Sequence, residues 1–239
     1  MSANGVAAQV AWACRILAGH GYEDLTLGHV SARDDDPAVM WIKRKGVSLA
    51  EVTPDDVLCT SIDSDLESAS DMHLEAVLHT EVYGARPDVR CVIHGHPLHA
   101  TALGAANTEL AFLSHDAILF QEGLATLDEV PEMITGRSQG QVVADALGER
   151  HALLMRNHGV LVVGKDPPWA VLRAVTLERA VHLQAIAGRL GEPRAVADEA
   201  VAPLHEMKYR DVFLAEYWDA WIRELRRDGR AFDMSEAHR

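Results

Sequence analysis

Apolar residues along this chain follow two different periods, and the changes between them divide it into helices and short strands. Residues 6–18 place Val6, Val10, Ala13, Ile16 and Leu17 on one helical face, and Gly19 and Gly21 mark its end. A glycine turn at Gly28 leads into a strand within residues 25–33, and further strands are predicted over 39–43 and 57–60. Between those two strands, Thr53-Pro54-Asp55-Asp56 reads as a single helical turn capped by Thr53. Leu74, Val77, Leu78 and Val82 recur at intervals of three and four, which predicts a helix with Asp71 as its cap and Glu75 and His79 on one flank. That helix ends at Arg86-Pro87-Asp88, because the residue before a proline avoids the α region. Val89, Cys91, Val92 and Ile93 then read as a buried strand closed by His94-Gly95-His96.

The second half continues the same mixture. A helix of small residues is predicted over 97–106, a strand with a turn over 120–127, and a helix over 136–147. Strands over 152–155 and 160–163 flank the turn Asn157-His158-Gly159. Pro167-Pro168 opens a helix to about Leu190, with Val171, Val175, Leu177, Val181, Leu183 and Ile186 on a face wide enough to cover a sheet. Residues 204–227 read as a last helical segment carrying Tyr209, Phe213, Tyr217, Trp218 and Trp221, a stripe suited to core or subunit contact. The acidic turn 34–37 and the polar stretch 63–70 read as solvated loops. With no break in composition or Pro/Gly linker, strands mixed with helices predict one three-layer α/β/α domain with a largely antiparallel sheet. Its core spans about residues 5–190, followed by a helical segment over 203–227.

The candidate chemistry gathers at element ends. Side chains alternate along a strand, so His94 and His96 point the same way and can meet one metal ion. His158 stands where another apolar strand ends, and Glu75 lies on the preceding helix. Three imidazoles and a carboxylate fit a catalytic metal site better than a closed structural one, for which the chain has no cysteine pairs. Imidazole suits zinc, manganese, iron and cobalt alike, so the ion's identity stays open.

Composition narrows the partners. A net charge of −14, with Lys43-Arg44-Lys45 the only basic run, argues against nucleic acid. Three unclustered cysteines, Cys14, Cys59 and Cys91, point to reduced thiols in a cytoplasm, and no uncharged apolar run of membrane-spanning length occurs. A small-molecule substrate is the remaining expectation.

The spacing Glu75–His79–Tyr83–Arg86-Pro87-Asp88–His94-x-His96, followed by Asn157-His158-Gly159, resembles the class II aldolase/adducin family over roughly residues 5 to 190. The resemblance implies one divalent ion per subunit on His94, His96 and His158. It also implies that Glu75 is the catalytic acid/base and a further metal contact at rest. Ring-like homotetramers with sites near subunit interfaces are implied as well, with His115 of Ser114-His115-Asp116 a candidate to enter a site from the interface.

Phosphate-binding members of the family carry Gly-Asn where Gly28-His29 stands, a small hydroxyl residue where Lys45 stands, and paired serines where His73-Leu74 stands. Three such changes together argue against a phosphate cup. Gly28-His29-Val30-Ser31 and His73-Leu74-Glu75 also resemble the family's aromatic hydroxy-acid decarboxylases. The resemblance therefore implies a metal-dependent carbon–carbon lyase, decarboxylating a substrate such as a dihydroxyphthalate. In it Glu75, its pKa raised by apolar neighbours, would protonate the ring carbon, and His73, Arg44 or Lys45 would orient a carboxylate, with His29 and Ser31 also at the substrate. The alternatives are a sugar-phosphate aldolase or epimerase, and a non-catalytic adducin-like assembly module.

Overall fold

A seven-stranded sheet in the order β3-β2-β1-β4-β7-β6-β5 forms the frame. The strands are β1 (His29–Ala32), β2 (Val39–Lys43), β3 (Val57–Ser61), β4 (Cys91–Gly95), β5 (Ala125–Leu127), β6 (Ala152–Met155) and β7 (Gly159–Gly164). Every neighbouring pair is antiparallel except β5 and β6, so the sheet is mixed, with one parallel edge. The computed structural model describes residues 3–33, 35–64, 70–106, 108–128 and 133–232. Asp34 and residues 65–69, parts of the expected acidic turn and polar loop, lie outside the described residues.

Alternation along the central strands builds the three layers. Val30, Ala32, Cys91, Ile93, Val160 and Val162 face one core, which α1 (Ala3–Leu17), α3 (Leu98–Ala105), α6 (Pro167–Leu190) and α8 (Asp211–Arg227) cover. Val92, Leu161, Val163, Met40 and Ile42 face the opposite core, filled from α2 (Val77–Ala85) and α5 (Arg137–Leu147). These two helices approach closely at Gly140, where an added Cβ would lie 2.7 Å from the Glu81 side chain. The short α4 (His115–Ile118) packs on α6 and on α7 (Asp198–Lys208). The α/β/α arrangement expected from the sequence is therefore the one observed.

Several local expectations change. The helix expected around Glu75 starts only at Val77; Ala76 N–H donates to the His73 carbonyl and Leu78 N–H to that of Glu75, so residues 73–76 are tight turns. Leu74 points outward at 51% exposure instead of joining an apolar face, and Asp71 caps nothing: its side chain meets Arg44. The strand expected over 120–127 is confined to Ala125–Leu127, because Phe120 is buried in the turn after α4. On α6, Asp166 caps the start by accepting from Trp169 N–H at 2.8 Å, but Leu183 and Ile186 run past the sheet into solvent. The last segment is two helices, broken at Tyr209–Arg210, where Tyr209 turns inward and donates its hydroxyl to the His115 carbonyl at 2.6 Å. Among the described residues no helix is long and apolar enough to cross a membrane.

Candidate metal and catalytic site

The ends of β1 and β4, the turn before α2 and the turn between β6 and β7 bring the chemistry together. His29 and His94 are cross-strand neighbours, with ring centroids 5.0 Å apart. Ring nitrogens of His94, His96 and His158 all lie within 4.8 Å of one another. Glu75 reaches them from its turn: Oε2 is 3.5 Å from His94 Nε2 and Oε1 is 3.4 Å from His158 Nε2. The carboxylate is held there by the Ile134 amide, which donates to Oε1 at 3.0 Å. A regular helix through Glu75 is thus not what aims it; the tight turns are.

The tautomers of these histidines follow from what their far nitrogens meet. His94 Nδ1 donates to the Val160 carbonyl at 3.0 Å, leaving Nε2 as a bare lone pair, buried and without a hydrogen-bond partner. His96 Nδ1 donates to the Asp24 carboxylate at 2.8 Å, which leaves its Nε2 bare as well. Imidazoles oriented in this way by a carbonyl or carboxylate are the usual partners of a metal ion. A buried acceptor left unmet costs about 1–3 kcal/mol, and a divalent cation would remove that cost. The donor set therefore fits such an ion. Gly159 makes the assembly possible, since an added Cβ would sit 2.5 Å from His96 Cδ2 and 2.6 Å from the Gly95 carbonyl oxygen. Asn157, at φ +58°, turns the backbone just before it.

Residues 8–185 match the family described as Class II Aldolase and Adducin N-terminal domain. The chain belongs to this family. A 3,4-dihydroxyphthalate decarboxylase from Arthrobacter keyseri is 27% identical over 189 residues, 73% of this chain and 75% of that protein. An L-fuculose phosphate aldolase from Methanococcus maripaludis is 24% identical over 179 residues, 74% of this chain and 94% of that one. Among solved structures, an aldolase II superfamily protein from Pseudomonas syringae superposes with a TM-score of 0.83 at 26% identity, covering 95% of this chain and 94% of its own. Decarboxylases and aldolases thus both occur among class II relatives at this distance.

Against that family background, burial and charge distinguish the surrounding groups. Burial pushes the Glu75 carboxyl up, but His158, His94 and the Ile134 amide outweigh it and bring its pKa down to about 2. The raised value expected from apolar neighbours is not found, because the facing imidazoles favour the anion. Burial holds His94 down to about 3, so that ring is neutral.

Among the described residues, the cation enclosed beside His73 is Lys43, which the sequence leaves unmarked because Lys43-Arg44-Lys45 looks like an exposed turn. Lys43 ends β2 fully buried, with Nζ 3.1 Å from His73 Nε2 and donating to the Thr26 carbonyl at 3.1 Å. Burial lowers its pKa to about 8 and that of His73, beside it, to about 3. Among the described residues no carboxylate pairs with Nζ. Arg44 instead reaches Asp71 at 3.2 Å and Asp56 at 3.9 Å, and the Lys45 side chain is exposed. His115 is exposed at the start of α4, away from the strands that carry the histidines.

A second layer lies behind His29. Its Nδ1 is 2.6 Å from His79 Nε2; His79 Nδ1 is 2.6 Å from Ser31 Oγ; and Ser31 Oγ is 2.8 Å from the Tyr83 hydroxyl. All four side chains are buried, and burial holds both His29 and His79 well below the usual imidazole range. Ser31, expected at the substrate, is fully enclosed with its hydroxyl taken by His79 and Tyr83. His79 and Tyr83, expected only as spaced members of a motif, are its working neighbours. Arg33 clamps the far end, donating to the carbonyls of Val89, Arg86 and Pro87 at 2.8–2.9 Å, with its guanidinium 4.8 Å from the Tyr83 ring centre.

Proposed function

We propose that this chain is a divalent-metal-dependent carbon–carbon lyase that decarboxylates an aromatic hydroxy-dicarboxylic acid such as a dihydroxyphthalate. The observation that carries the reading is the three-histidine cluster with Glu75 at 3.4–3.5 Å from two of its nitrogens. His94, His96 and His158 would hold the ion, with Glu75 a further contact at rest, and the ion would supply Lewis acidity toward adjacent substrate oxygens. Glu75 begins as a carboxylate and takes the proton of a substrate hydroxyl. The bond between ring carbon and carboxylate then breaks, CO₂ leaves, and the ring carbon keeps the electron pair. Glu75 returns its proton to that carbon.

Lys43 supports an anionic substrate. A buried ammonium without a carboxylate partner is costly, and a substrate carboxylate near His73 would supply the missing countercharge. The proposal places the substrate beside His73 and His29, with Lys43 rather than Arg44 or Lys45 as the source of positive potential. It includes a cytoplasmic homotetramer, in which exposed His115 would approach a neighbour's site. A sugar-phosphate aldolase is the second reading, favoured by the Methanococcus relative.

The test is to load the purified protein with zinc, manganese, iron or cobalt in turn and assay each form on dihydroxyphthalates and on fuculose 1-phosphate. Stoichiometric CO₂ from a dihydroxyphthalate is expected. Aldehyde release from the sugar phosphate without CO₂ from any aromatic acid would establish the second reading, and absence of metal binding would remove both.

A further inference from the structure

The buried chain from His29 to Tyr83 contains four polar side chains and a limited number of ways to match their hydrogens. If His29 donated inward, His79 would donate to Ser31, Ser31 would donate to Tyr83, and the phenol hydrogen would have no acceptor. Tyr83 is 2% exposed and, among the described residues, its hydroxyl has no hydrogen-bond acceptor other than Ser31, so that arrangement strands a buried donor at a cost of about 1–3 kcal/mol. If both His79 and Tyr83 donated to Ser31, the serine hydrogen would be stranded instead. Only one order matches every hydrogen: Tyr83 donates to Ser31 Oγ, Ser31 donates to His79 Nδ1, and His79 Nε2–H donates to His29 Nδ1.

We infer that Tyr83, Ser31 and His79 are positioning residues that lock His29 as the Nε2–H tautomer, a hydrogen-bond donor held for a substrate oxygen beside Glu75 and His94. The role of the donor rests on the reading of this site as a lyase; the tautomer does not. The lock has a consequence for the metal. A ring nitrogen of His29 lies within 4.8 Å of ligand atoms on Glu75 and His94, so these three residues could themselves cradle an ion. With Nδ1 occupied by His79 and Nε2 protonated, His29 has no lone pair to give, and the ion is directed to His94, His96 and His158. The device separates a ligand imidazole from a donor imidazole at neighbouring positions of two strands.

Nitrogen-15 NMR of the histidine-labelled full-length protein, loaded with zinc, tests this directly. His29 is assigned from the signals lost in His29→Gln. The expected pattern is a protonated Nε2 and a bare Nδ1 in His29, with a bare Nδ1 and protonated Nε2 in His79. Ser31→Ala removes the donor to His79 and should shift His29 toward Nδ1–H, whereas Ser31→Thr keeps a hydroxyl and should restore the original pattern. Activity should fall about 10- to 100-fold in Ser31→Ala and recover in Ser31→Thr. A bare or zinc-bound Nε2 in the wild-type protein overturns the inference, as does a tautomer unchanged in Ser31→Ala. Should no lyase substrate be found, the NMR pattern still decides the tautomer.

Discussion

Lys43 Nζ lies 3.1 Å from His73 Nε2 at the inner end of β2, an ammonium enclosed by protein and matched by no carboxylate among the described residues. Its pKa of about 8 means that the charge is present at neutral pH and lost above it. If that charge draws in a carboxylate substrate, kcat/KM should fall as pH rises through about 8. Stability should move the other way: between pH 8 and the ordinary lysine value of 10.5 the unfolded chain holds a proton that the folded one lacks, so unfolding becomes harder as pH rises. Lys43→Met should abolish the alkaline limb of the pH profile and raise KM about tenfold or more, with kcat less affected. A pH profile identical to wild type would remove Lys43 from substrate binding.

Among the described residues, Glu75 is the one carboxylate placed against two of the three clustered histidines. Glu75→Gln preserves its shape and removes its capacity to accept a proton. Loss of a single general acid/base is worth about 10²–10⁴ in rate, so kcat should fall by that range. The Ile134 amide can still donate to the side-chain oxygen, so the fold and the thermal midpoint should stay close to wild type. Single-turnover CO₂ release compared with circular dichroism melting separates the two effects.

Much of this candidate site was legible in the sequence because its histidines sit where pattern is strongest. His94 and His96 close an apolar strand, and His158 follows another, so alternation and turn signals locate all three. Glu75 lies beside them but on a different element from the one expected: apolar spacing at 74, 77, 78 and 82 suggests a helix, while the chain uses tight turns and exposes Leu74. Lys43 was hidden because a basic triplet ordinarily faces water, and nothing local shows that the end of β2 is enclosed. The His79–Ser31–Tyr83 chain depends on β1 and α2 packing together across some fifty residues of sequence, which no local period reports. The exposed end of α6 and the break at Tyr209 depend in the same way on where the sheet stops and where the Tyr209 ring is buried.

His96 depends on Asp24 for its orientation. The carboxylate accepts from Nδ1 at 2.8 Å and so keeps Nε2 free. Removing a partner of this kind typically lowers metal affinity about 10- to 100-fold. Asp24→Ala should therefore weaken zinc binding by that factor in a competition titration against a chromogenic chelator, while leaving unfolding in the metal-free state little changed, because Asp24 is at the surface loop before β1. Equal zinc affinity in the variant and the wild type would exclude His96 Nε2 as a ligand.

Gly159 carries the tightest backbone approach in the site, and its substitution tests the geometry as a whole. A methyl group there would come within 2.5 Å of His96 Cδ2 and 2.6 Å of the Gly95 carbonyl oxygen, distances that neither backbone nor ring can tolerate. The β4–β7 pairing at Gly95 and Val160 leaves little room for the turn to retreat. Gly159→Ala should then destabilise the protein by about 1–3 kcal/mol, the usual cost of overpacking. It should also push His96 away from His94 and His158, so metal affinity should fall more than in Asp24→Ala. Equilibrium urea unfolding and the same chelator competition measure the two losses. A variant with wild-type stability and zinc affinity would show that the turn bearing His158 does not press against β4 as described.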